Sequence, residues 1–126
     1  MKLYGPINSG VAAGGAGVAT NNADSTHRLT GWVMGIYVLY NDSPPAGTTD
    51  VVVKTKGTSP EPPTYNLLSL TDAATSGWFY PQAQIHTTAG VAVTGVYTPL
   101  LIDDYINVSI AQANNGDSVD VWLMME

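Results

Sequence analysis

Apolar and polar residues alternate along much of this chain with a period of two, the spacing of a strand that buries one face. In "VVVKTKG", Val51, Val53 and Thr55 fall on one side, with Val52, Lys54 and Lys56 on the other. In "YINVSIAQ", Ile106, Val108 and Ile110 alternate with Asn107, Ser109 and Ala111. In "SVDVWLMM", Val119, Val121, Leu123 and Met125 share a side, opposed by Asp120, Trp122 and Met124. The run "RLTGWVMGIYVLY" sets Ile36, Val38 and Tyr40 against Tyr37 and Leu39, so both faces are apolar. That pattern predicts a central strand or one covered by a neighbouring subunit, with Gly31 and Gly35 as bulge or bend positions. Shorter runs "TYNLLSL", "GWFYPQAQIH", "VAVTGVY" and "TPLLIDD" supply further strands. The late lysines of "VVVKTKG" look like a solvent-facing side or protection of an edge.

Helical spacing is sustained nowhere. The Ala-rich "GVAAGGAGVAT" carries four glycines, and each costs a helix about 1 kcal/mol relative to Ala. Val11 to Thr20 is therefore expected as a kinked first strand or an arm. "TSPEPP" cannot join a ladder, because Pro60, Pro62 and Pro63 have no N–H to donate, and it reads as a stiff connector. The expectation is an all-β, single-domain antiparallel β-sandwich, jelly-roll-like, of about seven or eight strands without significant helix. The domain covers residues 1–126, with 1–25 as an N-terminal arm or first strand. The last two runs flank "ANNGDS" and read as a hairpin around an Asn-Gly turn. A final strand this apolar has to be inserted between neighbours, so it belongs to the core. Its other face, with Trp122 and Met124, needs either a second layer within the subunit or a subunit interface.

Charge narrows the partners. The chain of 126 residues has 4 basic and 10 acidic side chains, for a net charge of −6. Nucleic-acid binding draws on clustered Lys and Arg, and Lys2, Arg28, Lys54 and Lys56 are scattered. Neither nucleic acid nor a membrane is an expected partner: no apolar run approaches the roughly 20 residues of a spanning helix. "MKLYGPINSG" lacks the apolar stretch of a signal peptide. Cysteine is absent, which excludes disulfides and thiolate metal sites.

Candidate chemistry is thin. His27 stands beside Asp24, Ser25 and Thr26, but neighbours on one extended segment point to alternating sides and do not converge as a triad. His86 reads as an exposed or interface histidine, and two distant histidines make a poor zinc site. Asp103, Asp104, Asn114, Asn115, Asp117 and Asp120 could offer oxygens to calcium, yet their spacing is that of Asp and Asn capping turns. No enzyme activity, cofactor or metal is expected. The aromatic cluster Trp78, Phe79, Tyr80 must point to both faces of a strand, so part of it leaves the core. With Trp32 it could form a sugar-stacking platform or a subunit contact.

The tail "PLLIDDYINVSIAQANNGDSVDVWLMME", preceded by "GWFYPQAQIHTTAGVAVTGVYTP", resembles small virion structural proteins of tailed bacteriophages, of the capsid decoration (cement) type. The resemblance rests on Asp104, Tyr105, Val108, Ala111, Gln112, Ala113, Gly116, Val121 and Glu126, and extends to "TGWVMGIYVLYNDSPPAGTTDVVVKTKG". It implies a subunit, often trimeric, that binds the major capsid protein on the head exterior after assembly in the host cytoplasm. The candidate subunit or shell interface is then Trp122, Met124, Trp78, Phe79, Tyr80 and Tyr4. A neck, tail or host-binding fibre component and a carbohydrate-binding module are the alternatives.

Overall fold

A computed structural model describes residues 1–42, 45–57 and 64–126. It contains ten strands in two antiparallel sheets that pack as a sandwich, and no helix among the described residues. The first sheet runs β1 (Lys2–Asn8), β10 (Val119–Met125), β3 (Leu29–Tyr40), β8 (Ala92–Asp104), β7 (Gln82–His86), with the short β6 (Gly77–Phe79) also paired to β3. The second runs β2 (Ala19–Asp24), β9 (Ile106–Ala113), β4 (Asp50–Thr55), β5 (Asn66–Leu70).

The chain pairs from its ends inward: β1 with β10, β2 with β9, β3 with β8, β4 with β5. With β6 and β7 set aside, the orders β1-β10-β3-β8 and β2-β9-β4-β5 are those of a jelly roll, a long ribbon wound into two sheets. Successive strands of each arm alternate between the sheets. The inward-facing residues Val33, Ile36 and Val38 of β3, Val51 and Val53 of β4, Ile106, Val108 and Ile110 of β9, and Val119, Val121 and Leu123 of β10 form one continuous core. β10 shows strict alternation between buried and half-buried positions. It lies between β1 and β3, so the apolar last strand is a central one.

Several expectations are corrected. The final two runs are not a hairpin: β9 and β10 lie in different sheets and face each other across the core. Alternation says which side of a strand is buried, and it reads the same for a hairpin and for an arch that crosses between sheets. The connection is held by Asp117, whose carboxylate accepts from the Asn114 N–H at 3.0 Å, and by Gly116 N–H donating to the Ala12 carbonyl at 2.8 Å. Val11–Thr20 is not a strand: β1 precedes it, β2 begins at Ala19, and between them only Ala13 bridges, to Thr20. "VAVTGVY" and "TPLLIDD" are one strand, β8, but "GWFYPQAQIH" divides into β6 and β7 and β1 is added, so the described residues hold ten strands rather than seven or eight. Lys54 does not guard an edge, since β4 is flanked by β9 and β5. The "TSPEPP" connector lies outside the described residues.

Candidate binding surface

The two sheets turn different outer faces to solvent. On the second, Asn22, Asp24, Lys54, Asn107 and Ser109 line a shallow polar groove of about 390 Å³. The Asn107 side-chain amide donates to Asn22 Oδ1 at 3.1 Å and to Asp24 Oδ1 at 2.8 Å, and Lys56 Nζ lies 2.9 Å from Asp24 Oδ2. The hydrogen bond from Asn107, then Lys56, holds the Asp24 carboxyl below the usual aspartate range. A depressed carboxyl contributes stability that is complete above its unfolded value, near pH 4, and is lost as pH falls through the lower folded one. Asp24→Asn is therefore expected to flatten the acid limb of stability by less than about 1 kcal/mol, because the pair is partly exposed. Urea unfolding of both proteins at pH 7 and pH 3 measures it.

The outer face of the first sheet is aromatic. Cross-strand register places Trp122 of β10 opposite Tyr37 of β3, and Tyr37 opposite Trp78 of β6, in one row. The ring centroids are 5.8 Å apart for Tyr37–Trp122 and 5.3 Å for Tyr37–Trp78, both tilted. Such pairs add roughly 0.5–1.5 kcal/mol each beyond area burial. Tyr80 extends the row, nearly parallel to Trp78 at 11° and 6.3 Å. Gly35 makes room for this: a Cβ there would meet the Tyr80 ring at 3.1 Å and Trp78 at 3.4 Å. At the other end, the Gly5 backbone (φ +137°) lies under the Trp122 ring, with 2.9 Å left for a Cβ. Met124, opposite both Leu3 and Gly35, borders the row. Farther along β3, Trp32 and Leu101 form another outward pair, both exposed.

The structure thus brings Trp78, Tyr80, Trp122 and Met124 together, with Trp78 and Tyr80 exposed. Two of the expected interface residues are elsewhere. Phe79, between Trp78 and Tyr80, turns inward opposite Ile36 and packs on the core, as alternation along a strand requires. Tyr4 pairs with Leu123, not with the outward Trp122 and Met124, and lines a cleft of about 370 Å³ between β1 and residues 24–29. Tyr37, the centre of the row, was not singled out, because its role depends on register with two strands distant in sequence. The sequence signal was the second apolar face of "RLTGWVMGIYVLY".

The remaining polar candidates hold the backbone or pair with neighbouring side chains. Ser25 Oγ donates to the His27 carbonyl at 2.8 Å and accepts from the Ile106 N–H at 3.0 Å. Asp103 accepts from Arg28 Nε at 2.9 Å and from the Thr30 hydroxyl at 2.7 Å. Asp104 is buried and accepts from the Gly57 and Tyr105 N–H groups at 2.8 and 2.7 Å. His86 is exposed at the end of β7. No group of three His, Asp or Glu side chains suited to a metal ion occurs among the described residues. The chain gives no significant match to any family model, curated protein or solved structure.

Proposed function

We propose that this jelly-roll subunit is a capsid decoration (cement) protein, which binds the major capsid protein on the exterior of a tailed-phage head and stabilises the shell. The observation that carries the reading is the contrast between the outer faces: one sheet shows a conventional polar surface, the other the row Trp122–Tyr37–Trp78–Tyr80. Trp and Tyr are the residues in which binding energy concentrates at protein interfaces. A subunit that binds only the assembled shell stabilises it by mass action, with no chemistry needed. The resemblance of the tail supplies the viral context. The jelly-roll topology agrees with it at the level of fold analogy alone.

Co-sedimentation with purified heads stripped of this protein tests the reading. Trp78→Ser with Tyr80→Ser is expected to weaken binding by roughly 30-fold or more, the effect of losing a hot spot of about 2 kcal/mol. Wild-type protein that stays in the supernatant, or a double variant that binds equally well, overturns it. Labelling on intact particles separates head from tail: decoration covers the whole shell, whereas a neck or fibre component marks one vertex.

The near-parallel, exposed Trp78 and Tyr80 rings favour one second reading, a carbohydrate-binding module in which sugar rings stack on this pair. A saturable change in tryptophan fluorescence on titration with glycans, without binding to heads, would put that reading first.

A further inference from the structure

β7 and β8 leave the sandwich as a two-stranded ribbon. β8 pairs with β3 only over Leu100–Asp104, and beside Ile36–Val38 of β3 the neighbouring place is taken by β6. From Ala92 to Pro99, β8 has β7 alone as its partner among the described residues. From Gln82 to Tyr97 every residue but Val93 is exposed. Such a ribbon, wet on both faces, is marginal at best in water unless something packs on it.

Its composition is that of a covered surface. Alternation carries the inward side of Ile102 and Leu100 on to Thr98 and Val96, where burial fades to half-buried and then exposed, so the core side of the strand continues into solvent. Ile85, Val91, Val96 and Tyr97 are all exposed on the ribbon. Natural edge strands are shielded by charges, Lys above all, or by prolines. Between Asp72 and Asp103 the chain has no Asp, Glu, Lys or Arg at all, while the other segments carry every charge of a molecule with net −6.

We propose that the ribbon is covered by the ribbon of a second copy of this chain. Charge favours that occupant: two molecules of like net charge repel wherever their charged surfaces meet, and the ribbon, free of Asp, Glu, Lys and Arg, is an extended surface where they can approach without that cost. This self-association is independent of shell binding: the assay below contains no shells, so its failure and that of the decoration reading are separate results.

Sedimentation velocity of the full chain across micromolar concentrations tests it, with Ile85→Glu and Val96→Glu combined as the variant. The wild type is expected to be a closed oligomer, and the variant a monomer with an unchanged far-ultraviolet spectrum and a dissociation constant raised at least about 100-fold. A monomeric wild type, or a variant that associates as well as the wild type, overturns the proposal. Should the double variant fail to fold, Val96→Cys gives a second measurement, since the chain has no other cysteine to compete for a spin label. The label is expected to be immobilised and to gain mobility on dilution; a label mobile at every concentration overturns the proposal.

Discussion

Replacing Leu123 by Ala is expected to lower the free energy of unfolding by about 3 kcal/mol, whereas Met124→Ala changes it by less than about 1 kcal/mol. Leu123 is completely buried on the core side of β10, while Met124 is half-exposed on the outer side. Removing the Leu side chain forfeits its transfer free energy and leaves a cavity that two flanking strands and an opposing sheet cannot close. Met124 borders the aromatic row, so under the proposed decoration role its loss is expected in shell binding rather than in stability. Urea unfolding and co-sedimentation of both variants give the four numbers. If Leu123→Ala costs under 1 kcal/mol, β10 is not the central strand described here.

Asp104→Ala is the second large effect. The carboxylate sits where β8 ends and the chain crosses to β9, 1% exposed, accepting from Gly57 and Tyr105 N–H groups of that corner. Truncation removes two hydrogen bonds to a charged acceptor in a part-buried corner, each worth about 1.5–3 kcal/mol. A loss of about 2–4 kcal/mol is expected, with Asp104→Asn between wild type and Ala, because an amide keeps one oxygen. Thermal unfolding of the three proteins ranks them. Equal midpoints for Ala and wild type would mean that water reaches the corner and replaces the carboxylate.

Faces were legible in the sequence, partners were not. The alternation of Val119, Val121, Leu123 and Met125 marks the buried side of β10 correctly, and the inserted position of that strand follows from its apolar outer side. Nothing in a period of two says that Ile110 and Val121 belong to opposite sheets, so the arch between them read as a hairpin. β1 was missed for a local reason: of its seven residues only Ile7 is buried, and Gly5 and Pro6 interrupt the pattern beside a register shift. β2, "ATNNAD", buries only Ala19 and presents polar side chains to the second sheet's groove. At the candidate surface, alternation alone sends Trp78 and Tyr80 outward and Phe79 inward. The row itself needed Tyr37, placed by pairing with strands more than 40 positions away in the chain and visible only once the topology is known.

The end-to-end winding also orders events during synthesis. β1, β2 and β3 leave the ribosome long before β10, β9 and β8 exist to receive them, and only β4 with β5 and β7 with β8 find each other locally. Until β10 has emerged, most strands of the nascent polypeptide lack their partners, and its first half cannot mature by itself.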